Sequence, residues 1–227
     1  FKSIFHENVR LTCSKSFMVS TNEQQTRYNA GDVFELTPDN ELLLQGRVTV
    51  TPVNGGEISI LSVMRSQCVP SYEGSIELAA ADDGIVIVND VPVESYLKRV
   101  VPSEMPASFA VEALKVQAVC ARSYAYKHLE NGAYSEYGAH VDDSTMYQVY
   151  NNTSEQSSSN EAIQNTRGQI LTYNGEVVQT YYYSTSCGVT RPDMRFTAGN
   201  YRRILQHFPT VLTQSCMKNI CQLRQKF

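Results

Sequence analysis

The chain has 227 residues, of which 42% are hydrophobic and 19% charged, and its formal net charge is −4. This length suffices to bury a core in one or two domains, and no apolar run is long enough to cross a membrane. Seven Lys and Arg residues but only one acid, Asp193, follow Thr190, so residues 1–190 carry −10 and residues 191–227 carry +6. An acidic body repels phosphates, which argues against nucleic-acid binding.

The N-terminal part alternates short runs rich in Val, Ile and Leu with turn signals, of which Asn54-Gly55-Gly56 is the clearest. Runs of this length and composition are typical of strands. The sequence therefore predicts a β-rich N-terminal region at residues 1–65, packed on or inserted in the core that follows. The predicted strands lie at residues 32–36, 41–44, 47–51, 57–64, 74–79 and 84–88.

Further along, a single acidic residue, Glu104, stands between Pro102 and Pro106. Each proline favours extended or turn geometry in the residue before it. Residues 103–105 are therefore predicted to form a stiff, non-helical loop. Such a loop holds a side chain where chemistry can use it, although a lone glutamate between prolines also suits an ordinary surface loop.

The loop is followed by a predicted helix that begins near Phe109, with Ser108 as its N-cap and a carboxylate in its first turn. Lys115 and Arg122 share one stripe of this helix with small apolar residues. The helix is apolar or small around most of its circumference, which is typical of buried helices. The two cations either line a site, or extend to water or pair with structural carboxylates. A second polar stripe contains Gln117 and Tyr124.

In the C-terminal half of the core, the sequence predicts a polar loop at residues 151–160, then a short helix that ends at Gly168, and then a hairpin. Asn174-Gly175 is a strong turn signal between the hairpin strands at residues 169–173 and 176–183. The predicted fold class is therefore α+β, with a β-rich N-terminal part, a central buried helix after the Glu-Met-Pro loop, and a C-terminal β-hairpin.

The basic tail at residues 191–227 has two open interpretations. It is either a packed amphipathic helix at residues 201–207 with a frayed end, or a variant ending of unknown structure. Of the six cysteines, Cys120 reads as a small core residue, while Cys216 and Cys221 can pair if they are oxidised.

Between residues 72 and 190 the chain contains an ordered series of motifs: Val91-Pro92-Val93-Glu94-Ser95-Tyr96-Leu97, Val100-Val101-Pro102-Ser103-Glu104-Met105-Pro106, Glu112-Ala113-Leu114-Lys115-Val116-Gln117-Ala118-Val119, Ala121-Arg122-Ser123-Tyr124-Ala125, Gln148-Val149-Tyr150, Thr166-Arg167-Gly168-Gln169-Ile170-Leu171 and Tyr183-Ser184-Thr185-Ser186-Cys187-Gly188. Through these motifs the chain resembles the family of stage II sporulation protein D and the LytB-like amidase enhancers. Residues 66–190 are therefore expected to be the family's catalytic core.

The resemblance implies a lytic transglycosylase that cleaves peptidoglycan glycan strands and leaves 1,6-anhydro ends, with Glu104 as the catalytic acid and base and no cofactor. Burial is expected to raise the pKa of Glu104, and the two helix cations are expected not to touch it. Asp142 and Asp143 are candidates for electrostatic assistance. The loop that contains Ser184, Thr185 and Ser186 either binds sugar hydroxyls and amides or is an ordinary polar turn after a strand. The predicted substrate-binding residues are Lys115, Arg122, Gln117, Tyr124, Tyr183, Ser184, Thr185 and Ser186.

The same resemblance leaves a second function open, a non-catalytic cell-wall-binding enhancer of an N-acetylmuramoyl-L-alanine amidase. The implied partners are peptidoglycan glycan strands and a cell-wall amidase or other wall-remodelling proteins of sporulation. Because the chain begins at Phe1 without a signal peptide, we expect a mature or trimmed polypeptide. The expected location is extracytoplasmic and facing the wall, with the full-length protein anchored in the membrane or secreted.

Some members of this family bind zinc through His and Cys residues just before the Gln-Val-Tyr motif. Here Met146-Tyr147 replaces the His-Cys pair, and Asp142 replaces the upstream Cys. The thiolates that a tight zinc site uses are therefore missing. His140 with Asp142 or Asp143 could hold a metal only weakly, and a solvated loop explains these residues more simply. The sequence therefore predicts no structural metal.

Overall fold

The computed structural model describes residues 5–66, 68–130 and 132–182, together with two short strands near the C-terminus. The described elements confirm the predicted α+β class, the β-rich N-terminal part and the C-terminal hairpin. In chain order they are β1 Val9–Cys13, β2 Phe17–Ser20, β3 Gln25–Tyr28, β4 Val33–Leu36, α1 Glu41–Leu44, β5 Val48–Pro52, β6 Ile58–Ile60, β7 Ser71–Tyr72, β8 Ser75–Ala81, β9 Gly84–Pro92, α2 Val93–Glu104, α3 Val111–Glu130, a 3-10 turn Ser135–Tyr137, β10 Val141–Asp142, α4 Ser157–Asn165, β11 Ile170–Tyr173, β12 Glu176–Val177, β13 Val211–Leu212 and β14 Gln222–Lys226.

The largest sheet has seven strands in the order β10-β14-β9-β8-β5-β2-β3. This sheet contains strands from both sides of residue 65, because β5 pairs antiparallel with β8 in the register Val48↔Leu78. The predicted N-terminal region therefore shares a sheet with the core, while the boundary at residue 65 itself stays a prediction. A second sheet has the order β4-β1-β6-β7, and a small one the order β12-β11-β13.

Strand β9 lies between β14 and β8 in the main sheet and is buried over most of its length. Ile85 and Ile87 belong to the main hydrophobic cluster, whereas Val86 and Val88 pack on the other face with Ala139. Because both faces are covered, the strand reads as a continuous apolar run rather than an alternating one. The strand leads directly into α2, so the core fixes where α2 begins.

The segment predicted as a strand at residues 41–44 is the short helix α1, so that prediction was wrong. Asn40 is its N-cap, and the Asn40 side chain accepts a hydrogen bond from the Leu42 N–H at 3.0 Å. An asparagine cap of this kind favours a helical turn over a strand. Leu43 is buried, while Leu44 points to solvent and is 85% exposed.

Helix α2 extends through residues 103 and 104, so the prediction of a non-helical loop there was wrong. Pro102 lies in the last turn and does not end the helix. The hydroxyl of Ser103 donates to the Arg99 carbonyl at 2.6 Å, and the Met105 N–H donates to the Val101 carbonyl at 2.9 Å. Met105 is then extended (φ −135°, ψ 129°), as expected for a residue that precedes a proline.

Helix α3 is the predicted central buried helix, but it begins at Val111 rather than near Phe109. The carbonyl of Ala110, not a Ser108 cap, accepts the first hydrogen bonds of the helix from Ala113 and Leu114. Its central turns are buried against α2 and α4. No helix in the described part of the chain is both long and apolar enough to cross a membrane.

The C-terminal half of the core agrees with the predicted order of elements, with different bounds. Helix α4 starts within the predicted polar loop and ends before Gly168. Asn174 and Gly175 both have positive φ (52° and 85°), which confirms the hairpin turn. The second hairpin strand, β12, is only two residues long and does not extend to Tyr183.

Part of the basic tail belongs to the main sheet. Strand β14 pairs antiparallel with β9 in the register Gln222↔Pro92, and parallel with β10. A frayed C-terminal end is therefore wrong for these residues. The predicted helix at residues 201–207 lies outside the described residues, as do Cys216 and Cys221.

Candidate functional site

Glu104 is the last residue of α2, where the helix gives way to the extended Met105. Its Oε1 accepts a hydrogen bond from the Val149 N–H at 2.7 Å. Val149 lies 45 residues along the chain, in the Gln-Val-Tyr motif, so this bond joins two of the motifs singled out in the sequence.

The carboxyl of Glu104 is half-buried, and desolvation raises its pKa above the usual value, with the Val149 hydrogen bond acting in the opposite direction. The negative end of the α2 dipole further disfavours a charge at this position. Among the described residues, no Lys or Arg forms an ion pair with Glu104, so neither Lys115 nor Arg122 lowers its pKa. The expected raised pKa is therefore confirmed in direction and cause.

Gln148 holds the motif segment in place beside Glu104. Its side chain is buried and bonds in three directions: Oε1 accepts from the Tyr96 hydroxyl at 3.2 Å, and Nε2 donates to the Tyr182 hydroxyl at 2.9 Å and to the Ala121 carbonyl at 3.2 Å. Burial and then the charge of Glu104 raise the pKa of Tyr182, so this hydroxyl lies within electrostatic reach of Glu104. The motif's sequence signalled its importance but not this network.

Arg122 is fully buried and forms a bidentate pair with Glu94, at 2.8 Å from Nε to Oε1 and 2.9 Å from Nη2 to Oε2. It also donates to the carbonyls of Gln169 and Ile163. These contacts use its donors inside the protein, so the structure favours the alternative in which Arg122 pairs with a structural carboxylate. The prediction that Arg122 binds substrate is not compatible with this burial.

Lys115 lies at the protein surface, where its Nζ is 2.7 Å from Oε1 of Glu112, one turn earlier on α3. The pair gives Lys115 a partner within its own helix, and no contact joins it to Glu104 among the described residues. The structure therefore does not bring this predicted substrate-binding residue together with the catalytic candidate.

Gln117 and Tyr124 are both buried. The Gln117 Nε2 has no hydrogen-bond partner in the described part of the chain. The pKa of Tyr124 is raised to about 12, mainly by burial and then by nearby groups that include Tyr181 and Glu104. Tyr124 therefore lies in the electrostatic neighbourhood of Glu104, as its predicted role requires.

Four predicted substrate-binding residues cannot be placed. Tyr183, Ser184, Thr185 and Ser186 lie outside the described residues, so their roles stay predictions.

The two aspartates considered for electrostatic assistance both have structural partners. Asp142 accepts hydrogen bonds from the Tyr134 hydroxyl at 2.7 Å and from the backbone and side chain of Ser144. Asp143 forms an ion pair with Arg65. These contacts hold the loop before Gln148, which gives the acids a role without substrate.

One group of carboxylates in the described ranges could hold a metal ion by proximity, with ligand atoms all within 4.8 Å: Glu57, Glu73 and Glu155. Two cations already pair with these three carboxylates. Arg99 lies 2.8 Å from Glu57 and 3.4 Å from Glu155, and Lys98 lies 2.9 Å from Glu73. A metal would have to compete with these cations, so the prediction of no structural metal is retained.

One family model and several known proteins match parts of this chain. A family model described as Stage II sporulation protein matches residues 81–173. An amidase enhancer of Bacillus subtilis (strain 168) is 42% identical over 94 residues, which is 41% of this chain and 12% of the relative. Stage II sporulation protein D of the same strain is 34% identical over 142 residues, 53% of this chain and 41% of the relative.

An uncharacterized protein of Brachyspira hyodysenteriae is 40% identical over 118 residues, 52% of this chain and 32% of that protein. The chain thus spans less than half the length of each of these relatives. The range matched by the family model contains all of α2, α3 and α4 together with the Gln-Val-Tyr motif.

Proposed function

The chain belongs to the stage II sporulation protein family through its residues 81–173, and from this premise we propose that it remodels peptidoglycan as a lytic transglycosylase. The substrate is a glycan strand, cut between N-acetylmuramic acid and N-acetylglucosamine. The observation that carries the proposal is the state of Glu104, a half-buried carboxyl with a raised pKa and no cation partner in the described residues.

The reaction needs one carboxyl that acts first as an acid and then as a base. Protonated Glu104 donates its proton to the glycosidic oxygen, and the bond from that oxygen to C1 of N-acetylmuramic acid breaks. The resulting carboxylate accepts the proton of the C6 hydroxyl of the same sugar, and the C6 oxygen bonds to C1. A 1,6-anhydro ring forms, no water is consumed, and Glu104 ends protonated as it began.

The surroundings of Glu104 support a mechanism with one carboxylate. Glycosidases of the two-carboxylate type use a second acid as nucleophile or as the base for water. Asp142 and Asp143, the aspartates considered for electrostatic assistance, are engaged by Tyr134, Ser144 and Arg65. In the proposed reaction the substrate supplies its own nucleophile.

The test is mass spectrometry of the soluble products that the purified protein releases from peptidoglycan. Wild-type protein is expected to release muropeptides with 1,6-anhydro ends, and Glu104→Gln is expected to release none above background. Glu161→Gln is the matched control, since it removes an exposed carboxylate from α4 and is expected to cleave normally. Reducing ends instead of anhydro ends, or equal cleavage by Glu104→Gln, would overturn the proposal.

A second candidate function is favoured by the 42% identity with the amidase enhancer over 94 residues. In that case the chain binds the wall and stimulates a separate amidase without cleaving glycan. The two functions separate in one assay: an enhancer raises the amidase rate equally well as wild type and as Glu104→Gln, and it yields no anhydro products from intact or peptide-free strands.

Either function places the protein outside the cytoplasm and facing the wall, in a full-length protein that is anchored in the membrane or secreted. Its proposed partners are glycan strands and, in the second case, a cell-wall amidase. Both proposals concern the whole protein, of which the matched region is one part.

A further inference from the structure

Five aromatic rings form a continuous series that includes Tyr124, which we name the aromatic wall. Its members are Tyr181, Tyr124, His128, Tyr147 and Tyr134. Successive ring centroids are separated by 6.3 Å, 4.3 Å, 5.4 Å and 5.9 Å, and the Tyr124–His128 pair is stacked while the contacts of Tyr181 with Tyr124 and of Tyr147 with His128 are edge-to-face. The wall therefore joins α3 to two chain segments that follow it.

Hydrogen bonds fix two rings of the wall, His128 and Tyr134. The Nδ1 of His128 is 3.0 Å from the Tyr124 carbonyl, which can only accept, so Nδ1 carries a proton. The Tyr134 hydroxyl donates to Asp142 at 2.7 Å. Because the rings are held in one arrangement, a ligand that stacks on them loses little entropy in ordering them.

The wall is attached to the candidate site at two points of the chain. Tyr147 immediately precedes Gln148 and Val149, and Val149 donates to Glu104. Tyr181 immediately precedes Tyr182, whose hydroxyl accepts from Gln148. Both attachments converge on the same glutamine and glutamate, so the wall begins where the proposed reaction takes place.

Exposure changes sharply between two neighbouring rings of the wall. Tyr124 is 7% exposed, whereas Tyr181 is 63% exposed. A single exposed tyrosine is common on protein surfaces and needs no ligand. Here, however, the exposed ring packs edge-to-face with the buried ring of Tyr124, which lies in the electrostatic neighbourhood of the proposed catalytic carboxyl. Most of the Tyr181 side chain is nevertheless exposed.

We infer that the aromatic wall is a carbohydrate subsite, in which the ring of Tyr181 stacks against a pyranose of the glycan strand next to the cleaved bond. This inference rests on the proposed function for the identity of the ligand. A pyranose presents an apolar C–H face that packs on an aromatic ring, and tyrosine combines such a face with a polar tip. The subsite holds the strand so that its glycosidic oxygen lies at Glu104.

Binding is measured separately from cleavage by using the Glu104→Gln protein and peptide-free glycan strands in titration calorimetry. Adding Tyr181→Ala is expected to weaken binding roughly 3- to 10-fold, the effect of losing one aromatic stacking contact. Tyr181→Phe keeps the ring and is expected to bind as before. Leu44→Ala is the matched control, because it removes a large exposed apolar side chain outside the wall.

Each other outcome overturns the subsite. Unchanged binding by Tyr181→Ala shows that the strand does not stack there, and an equal loss in Tyr181→Phe assigns the effect to the hydroxyl rather than the ring. Absence of measurable binding by Glu104→Gln also overturns it, even if wild-type protein cleaves glycan. Conversely, ring-dependent binding without anhydro products from the wild type supports the subsite and refutes only the transglycosylase.

Discussion

Helix α2 carries a glutamate near each end, and the two carboxyl groups have different surroundings. Glu94 lies in the first turn, where the helix dipole favours a carboxylate. It also receives two donors from the buried Arg122. Glu104 lies at the opposite end, where the dipole disfavours negative charge, and a backbone N–H is its donor among the described residues.

The difference shows how one residue type acquires two roles from its surroundings. A carboxylate that is paired with a buried guanidinium at a helix N-terminus holds two helices together. A carboxyl that is desolvated and left without a cation keeps its proton to a higher pH, which a general acid requires. The fold therefore assigns Glu94 to structure and leaves Glu104 available for chemistry.

The strongest test of this division is Glu94→Gln, the same substitution at the other end of the helix. Removing one partner of a buried ion pair leaves the other charge uncompensated, which typically costs about 3–5 kcal/mol. We expect the free energy of unfolding, measured by urea denaturation, to fall by about that amount. Glu104→Gln, in contrast, is expected to leave the free energy of unfolding within about 0.5 kcal/mol of wild type.

The double variant Glu94→Leu/Arg122→Met is the control for the ion pair. Replacing both charges with apolar side chains removes the uncompensated charge, so this protein is expected to recover much of the stability lost in Glu94→Gln. If Glu94→Gln is instead as stable as wild type, the pair does not stabilise the fold and the contrast between the two glutamates is wrong.

The pH dependence of cleavage sharpens the comparison with a smaller effect. Because the pKa of Glu104 is raised, the protonated acid persists above the usual range of a glutamate. Cleavage should fall about tenfold per pH unit only above that raised pKa. Initial rates across a pH series test this; a decline that begins at the pKa of an ordinary glutamate contradicts the assignment.

The same shift has a consequence for stability, with a defined sign. A carboxyl whose pKa is higher in the folded state than in the unfolded state binds its proton more tightly in the folded state. Its contribution to the free energy of unfolding is therefore fully present below the pKa of the unfolded state. The contribution is lost as pH rises through the folded pKa. Glu104→Gln should therefore lack this part of the decline in melting temperature with rising pH.

Sequence patterns predicted much of the fold but not the bounds that place Glu104. The spacing of Val93, Tyr96, Leu97, Val100 and Val101 is helical, and all five are buried in α2. The two prolines, in contrast, favour extended or turn geometry in the residues before them, which predicts a non-helical loop at residues 103–105. Pro102 removes one backbone hydrogen bond from α2, and the helix continues past it to Glu104. The helix ends where Met105, the residue before Pro106, becomes extended.

The candidate site was predicted in part, because local patterns reveal residue types but not distant partners. Glu104 and its raised pKa followed from the motif and from burial. The pairing of Arg122 with Glu94, 28 residues apart, depends on how α2 packs against α3. The wall formed by α3 and two later segments, and the insertion of β14 into the main sheet, likewise depend on contacts distant in sequence.

The smallest expected effect concerns Lys115, which the sequence placed among the substrate-binding residues and the structure pairs with Glu112. The Glu112 side chain is 82% exposed, so solvent screens the pair and Lys115→Ala should cost less than about 0.5 kcal/mol. Cleavage should stay within about twofold of wild type, because Lys115 touches neither Glu104 nor its described partners. Product release by Lys115→Ala and by Glu112→Gln measures this: a large loss in Lys115→Ala alone, with an unchanged melting curve, would mean that the lysine leaves Glu112 to contact the glycan strand.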